Sequence, residues 1–447
     1  MADSEQAPEA QAWPSPGRAW WAVGVLTFAY IVSFVDRTIL SLLIEPIKAD
    51  LALNDTQIAL VQGLAFGLFY AIMGLPLGWL ADRMSRRLLI AIGAFLWCLA
   101  TAACGLATSF AWLFAARIGV GVGEAALSPA AMSMISDSFP KERRGLPIGV
   151  YAAAAAAGAG LALLVGGGVV ELVTRGGGLA LPFLPQLAGW QSAFVLIGLG
   201  GLVIVPLMAT VVEPLRKHEP GQPREGGLVA FIRDNADFMV RHYAAVGVYT
   251  ILIYATLSWV PAYFIRVFGW TPGEVGFRYG LVLLAFGGCG TVLGAWLGTR
   301  LARRGVKQAA ILVTCLGMVG AAVFLGLAGF AADPWVALAL YGPGLLFMTL
   351  PGGTAIQVVQ EAVPAHLRAQ ASAVYYLVIS VVGLTLGPLA VAVFTDYVYG
   401  DPLRIGDGLG WVAFVVGPLS AALAISTRRP FARLTERDAA AALAARA

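Results

Sequence analysis

The chain has 447 residues, 59% of them hydrophobic and 12% charged, with a formal net charge of +4 and a mean hydropathy of +0.81. Soluble domains carry about 25% charged residues, so a chain this apolar lacks the polar surface to cover a water-soluble globule, and a bilayer is the solvent that fits it. The Lys and Arg residues gather at the ends of apolar runs and not along one face, which excludes a nucleic-acid footprint.

In chain order, residues 1–18 carry Asp3, Glu5, Glu9 and prolines, not the cationic start of a cleaved signal peptide, and are expected to form a cytoplasmic tail. Each spanning helix needs roughly 20 mostly apolar residues. All spans must be helical, because lipid offers no partner to an unpaired backbone group. The apolar runs predict twelve, near 19–44, 57–80, 88–108, 110–136, 146–172, 191–212, 241–268, 275–300, 308–331, 335–360, 369–396 and 409–427. The longest polar connection is 213–240, with Pro214, Pro220, Pro223 and Gly226-Gly227 before an apolar stretch from Leu228. It predicts a flexible cytoplasmic linker and a short surface helix. The linker divides a six-helix bundle at 19–212 from a second at 241–428, and 429–447 is expected to be a second cytoplasmic tail.

With the N-terminus inside, 22 of the 29 Lys and Arg residues fall on the inner side. Five fall outside (Lys48, Arg175, Arg266, Arg278, Arg404), and Arg37 and Arg117 lie within spans. This asymmetry predicts that both termini are cytoplasmic. The short loops and Ala/Gly-rich spans point to a bacterial inner membrane. The four cysteines, Cys98, Cys104, Cys289 and Cys315, have no metal-like spacing and read as small buried hydrophobes. No cofactor, metal site or catalytic cluster is expected, and so no enzyme.

The halves repeat each other. Gly78-Trp79-Leu80-Ala81-Asp82-Arg83-Met84-Ser85-Arg86-Arg87 is echoed 217 residues later by Ala295-Trp296-Leu297-Gly298-Thr299-Arg300-Leu301-Ala302-Arg303-Arg304. Pro140-Lys141-Glu142-Arg143-Arg144-Gly145 is echoed 224 residues later by Pro364-Ala365-His366-Leu367-Arg368-Ala369. Duplicated six-helix halves are a plan of secondary transporters, with the substrate site near mid-membrane between them.

Gly78-x-Leu80-Ala81-Asp82-Arg83-x-x-Arg86-Arg87 resembles the signature loop of the major facilitator superfamily. The expected fold is therefore all-α and integral to the membrane, with two pseudo-symmetric six-helix bundles. Asp36-Arg37, the run from Arg117 through Gly123-Glu124-Ala125-Ala126 to Pro129, and Trp259-Val260-Pro261 resemble the Spinster-like family. That likeness implies a sphingolipid or lysophospholipid type of substrate. Organic-anion symporters of the same superfamily share the Asp-Arg pair and an Arg in the fourth span, which leaves small organic anions as the alternative. The resemblance also implies a conformational latch built from Gly78, Asp82, Arg83, Arg86, Arg87 and Arg143. Asp82 would bond basic groups and the N-terminus of the eleventh span. Thr299, at the position of Asp82 in the second half, predicts that the halves latch unequally.

A charge at a helix centre costs about 3 kcal/mol or more, so Asp36, Arg37, Arg117 and Glu124 each need a partner and are the candidate proton-coupling and substrate residues. Arg117 and Glu124, nearly two turns apart, share a face with Gly121 between them. We expect Gly121 to leave open space there, and Gly119 and Gly123 to admit a neighbouring helix. Asp36 and Arg37 point about 100° apart. We expect Asp36 to face the cavity and pair with Arg117, with Arg117 exchanging to Glu124 or a substrate headgroup. Arg37 snorkels, binds a helix carbonyl or contacts substrate, and a purely structural ion pair is the competing reading. The second half lacks central charges, and Tyr249, Trp259, Tyr375 and Tyr376 are expected to line an apolar wall. The whole predicts a monomeric, proton-coupled, alternating-access transporter whose partners are membrane lipids, protons and a small amphiphilic or anionic substrate.

Overall fold

The computed structural model describes residues 13–178, 186–216, 227–364 and 366–444. Residues 1–12 of the first expected tail, 217–226 of the linker and 445–447 at the C-terminus lie outside the described residues. Among the described residues, twelve helices are long and apolar enough to cross a membrane: α1 Pro16–Leu42, α2 Asp55–Ala81, α3 Arg86–Cys104, α4 Phe110–Ser138, α5 Gly145–Arg175, α6 Gly189–Thr210, α7 Ala236–Phe268, α8 Pro272–Arg303, α9 Ala309–Gly329, α10 Pro334–Ala362, α11 Gln370–Tyr399 and α12 Pro402–Glu436. No strand occurs among the described residues. The protein is a multi-pass integral membrane protein.

Polar residues between the spans fix where helices start. Asn54 and Gln57 form a capping box at the head of α2, as Thr271 and Glu274 do for α8. Ser85 caps α3 and Asp333 caps α10. Gly269, at φ 68°, ends α7 in the left-handed conformation that glycine adopts without strain. α2 and α11 carry wide turns at Leu60–Leu68 and Ile379–Leu384, irregularities that recur at functional sites. The short helix Leu228–Asp234 precedes α7 directly. The expected C-terminal tail lies on a helix, Arg428–Ala444. Its Phe431 and Leu434 are buried, with the Phe431 ring 5.6 Å from that of Phe238, because an amphipathic face with an apolar partner does not stay in water.

The repeat seen in the sequence is a repeat in space. Arg144 Nε donates to the Phe139 carbonyl at 3.0 Å, and Arg368 Nε donates to the Val363 carbonyl at 3.0 Å, 224 positions on. Arg83 stacks on Trp79 at 3.7 Å and Arg300 on Trp296 at 5.0 Å, 217 positions on.

Twelve crossings return the chain to the side it started from; we call that the terminal side and the other the distal side. The bundles meet where α5 packs on α8 and α2 on α11. At Gly167 of α5 a Cβ would lie 2.8 Å from the Pro272 carbonyl oxygen at the distal head of α8, so only glycine admits this approach. On the terminal side the bundles part. Phe69–Ala81 of α2 packs on α4 of its own half, and Arg368–Val378 of α11 packs on α7 and α10 of its own half. The space between the bundles is thus closed by helix contacts on the distal side and lacks them on the terminal side.

Candidate functional site

α1 turns Tyr30, Phe34 and Arg37 toward the central cavity. Arg37 reaches Glu124 of α4 through both Nε and Nη2, each 2.6 Å from Oε2. The Glu124 side chain is fully buried, whereas that of Arg37 keeps 19% of its surface exposed. Three rings cage the guanidinium: Tyr70 at 4.7 Å, Phe66 at 4.8 Å and Phe34 at 5.5 Å. Their faces stabilise a cation in a site with little water. Tyr30 stacks on Tyr151 of α5 at 4.8 Å and meets Phe34 edge-on at 5.2 Å. Tyr254 of α7, in the other half, sits within electrostatic reach of Arg37 and Tyr70.

This geometry corrects the expected pairing. Arg117 and Asp36 form no ion pair. Arg117 is buried and donates through Nη1 to the Asp36 backbone carbonyl at 3.1 Å. The Asp36 carboxylate is fully buried, and neither oxygen has a hydrogen-bond partner among the described residues. It lies near Glu124, Arg117, Thr101 and Arg37. The reason is the rotation of α1. Adjacent residues point about 100° apart, and the cavity takes Arg37, leaving Asp36 against α3 and α4. The space expected at Gly121 is filled by α2, since a Cβ there would lie 2.6 Å from the Phe66 carbonyl oxygen. That contact is what lays the Phe66 ring beside both arginines, 5.4 Å from Arg117. Gly123 does admit a neighbouring helix, with α3 passing so close that a Cβ would meet the Trp97 amide at 2.7 Å.

On the terminal side, Arg86 is the hub of the latch residues. It is buried, pairs with Asp137 and with Glu213 at 3.1 Å, and donates to Ser133 and the Pro214 carbonyl. Glu213 also accepts from the Arg86 amide at 2.9 Å, the Arg87 amide at 3.0 Å and the Ser85 hydroxyl at 2.6 Å. It thus puts a negative charge on the head of α3, where the helix dipole favours one. Burial alone pushes its carboxyl up; the hydrogen bonds from Ser85, Arg87 and Arg86 outweigh this and hold it below the usual carboxylate range. Arg87 donates to the Val211 carbonyl at 3.2 Å. Arg83 lies on Trp79, and Arg143 is exposed at the α4–α5 turn. Gly78 has only the Pro129 ring near its Cβ position, at 3.9 Å. The Asp82 carboxylate is exposed and has no partner among the described residues. The bonds expected of it to α11 are absent with the terminal side open.

Sequence reasoning missed the distal lock. Arg266, at the end of α7, donates to Asp55 at 2.8 and 2.9 Å and to Glu45 at 2.8 Å, across the divide between halves. Asp55 is fully buried and also pairs with Lys48. In return, Asp396 of α11 accepts from the Thr56 amide and hydroxyl, both at 2.6 Å, at the head of α2. The signal was present: charged residues at the ends of apolar runs on the side that otherwise holds few.

The aromatic residues expected as an apolar wall are placed otherwise. Tyr249 is buried and donates to the Met348 carbonyl at 2.9 Å. Trp259 is buried and donates to the Pro388 carbonyl at 2.8 Å. Both pack α7 inside its own half. Tyr375 is buried between Tyr243 and Tyr376, and Tyr376 is 56% exposed. The aromatic cage is instead on the charged half, around Arg37. Of the cysteines expected to be buried, Cys98 and Cys104 are, whereas Cys289 is exposed and Cys315 half-buried.

Residues 26–388 match the family model described as Major Facilitator Superfamily. A Mycolicibacterium smegmatis protein described as an MFS-type efflux pump is 32% identical, over 86% of each chain. An Escherichia coli protein described as a probable L-galactonate transporter is 25% identical over 79% of this chain and 78% of its own. Human protein spinster homolog 1 is 28% identical over 70% of this chain and 60% of its own. Among solved structures, a bacterial homolog of the human lysosomal transporter Spinster, inward-facing and unoccupied, superposes with a TM-score of 0.82. It is 24% identical, and the match covers 94% of this chain and 99% of that one.

Proposed function

Because the chain belongs to the Major Facilitator Superfamily, we propose that it is a proton-coupled, alternating-access transporter of an amphiphilic, lipid-like substrate of the lysophospholipid or sphingolipid type. The observation that carries this reading is the Arg37–Glu124 bridge inside a cage of Phe34, Phe66 and Tyr70. Arg37 is the member that keeps some of its surface accessible, so a headgroup phosphate meets a guanidinium that can bind it bidentately, and an apolar tail meets rings. While Glu124 is ionised it competes for the same cation. A proton on Glu124 weakens the bridge and frees Arg37, and a phosphate on Arg37 favours that proton. The two ligands therefore bind with positive coupling, which linkage makes reciprocal. Proton uptake and headgroup binding together bias the rocking of one half on the other.

The cationic asymmetry of the loops supports a cytoplasmic terminal side, and the short loops and Ala/Gly-rich spans support a bacterial inner membrane, so the cavity opens to the cytoplasm. The sugar-acid relative favours the alternative, a small organic anion held by Arg37 alone. Proteoliposomes offered lysophospholipids, sphingoid lipids and hexonates, with and without a proton gradient, separate the two. Uptake of lysolipid that the gradient drives and that Glu124→Gln uncouples is expected. Movement of hexonates with no movement of lysolipid overturns the lipid reading, and transport by Glu124→Gln with unchanged pH dependence overturns the coupling role of Glu124.

A further inference from the structure

The α2–α3 and α8–α9 turns are equivalents, yet their charges are treated differently. In the first, Arg86 is neutralised by Asp137 and Glu213 and lies on Ser133. In the second, the counterpart of Arg86 is Arg303, 217 positions on, and Asp82 is replaced by Thr299, whose hydroxyl is turned to the Ala295 carbonyl. The counterparts of Ser133 and Asp137, 224 positions on, are Gln357 and Glu361, and these bond each other at 2.6 Å. Arg300, Arg303, Arg304 and Lys307 are all exposed, and among the described residues none of their side chains makes an ion pair or hydrogen bond. No Asp or Glu occurs between Glu274 and Asp333.

The patch continues into an apolar stripe. Val292, Trp296, Arg300 and Arg304 follow at intervals of four along α8 and its end, which puts them on one face. Val292 is 72% exposed and Trp296 53%. A stripe that is apolar toward the membrane middle, Trp at the boundary and basic beyond it matches a phospholipid lying along a helix. Tryptophan is the residue of the membrane interface, and clustered cations just beyond a span recognise anionic headgroups.

We propose that the α8–α9 turn binds an anionic phospholipid of the terminal-side leaflet, phosphate against Arg300, Arg303, Arg304 and Lys307 and acyl chain along Trp296 and Val292. The lipid supplies from outside the negative charge that the first half carries in its own chain as Asp137 and Glu213.

The test titrates the purified full chain with phosphatidylglycerol and, separately, phosphatidylcholine, and counts bound lipids by native mass spectrometry. The wild-type chain is expected to bind phosphatidylglycerol selectively. At the surface contribution of one basic residue, losing four weakens binding on the order of several hundredfold, read in the variant R300Q/R303Q/R304Q/K307Q. The variant R300K/R303K/R304K keeps the charge and is expected to retain selectivity. All these side chains are exposed, and a thermal-unfolding midpoint equal to that of the wild type in lipid-free micelles certifies the fold of both. Equal affinity of the wild type and the Gln variant for phosphatidylglycerol overturns the proposal. So does equal affinity of the wild type for the two lipids, or displacement of phosphatidylglycerol by millimolar inorganic phosphate, which identifies a free-anion site.

Discussion

The distal and terminal ends of the molecule both hold buried ion pairs, but the pairs join different things. At the distal end, Arg266 of the second half grips Asp55 and Glu45 of the first, and Asp396 of the second caps α2 of the first. At the terminal end, Arg86 grips Asp137 and Glu213, all within the first half. A bond that crosses the divide must break when the cavity opens on that side, whereas a bond inside one half travels with it as a rigid body. The distal network is therefore expected to set the conformational equilibrium, and the terminal network the stability of a bundle.

The largest effect that tests this distinction is expected at Arg266. Arg266→Ala leaves Asp55 and Glu45 without their partner from the other half, and breaking a buried pair in this way costs about 3–5 kcal/mol. The cost falls on the distally closed state alone. Spin labels at exposed Leu172 on α5 and Phe277 on α8 should then report a longer distal distance in most molecules. Arg266→Lys, which keeps one charge without the bidentate fork, should shift it partway. A distance distribution unchanged in Arg266→Ala would remove this residue as the lock. Next in size is Arg86→Gln. It loses charge-assisted hydrogen bonds worth roughly 2 kcal/mol, which should lower the thermal-unfolding midpoint while leaving the α5–α8 distance where it was. A lengthened distance would show that the terminal network also gates.

How far the sequence carried the reading follows from the same physics. Spans were legible because lipid permits only helices, and the halves were legible because Trp79-x-x-x-Arg83 and Trp296-x-x-x-Arg300 recur in place. The central charges were legible as a set, since each is too costly to be incidental. Their pairing was not. Which of two adjacent residues faces the cavity depends on the rotation of α1 about its axis, and its packing, above all on α5, decides that. Arg266 and Asp55 are 211 positions apart, and no local pattern links them. The aromatic wall was misplaced for a related reason. Trp259 and Tyr249 bring N–H and O–H donors that buried backbone carbonyls satisfy, and hydropathy does not reveal where those carbonyls are.

A smaller, pH-dependent effect is expected at Glu213. Its carboxyl titrates below the usual range in the folded protein, so the stability it confers is fully present above the ordinary carboxylate pKa of about 4.3 and is lost as pH falls through the folded value. As pH falls below about 4.3 and through the folded value, the wild-type unfolding midpoint should therefore fall more steeply than that of Glu213→Gln, and the two profiles should run parallel above it. Profiles parallel throughout would mean that the Ser85, Arg86 and Arg87 contacts confer no net preference for the anion.

The smallest expected effect lies where the two kinds of network nearly touch. The Trp259 ring is 5.9 Å from the Arg266 guanidinium, while its indole N–H donates to the Pro388 carbonyl within the same half. Trp259→Phe keeps an aromatic face near Arg266 but leaves that buried carbonyl without its donor, at a cost of about 1 kcal/mol. If bonds within one half act on stability alone, the unfolding midpoint drops slightly and the α5–α8 distance does not move. If the distance lengthens, the indole is part of the lock, because Phe presents a weaker face to the cation than Trp does. The boundary between a structural bond and a gating bond would then run through one side chain, and the lock would extend from the distal surface down α7 toward the cavity.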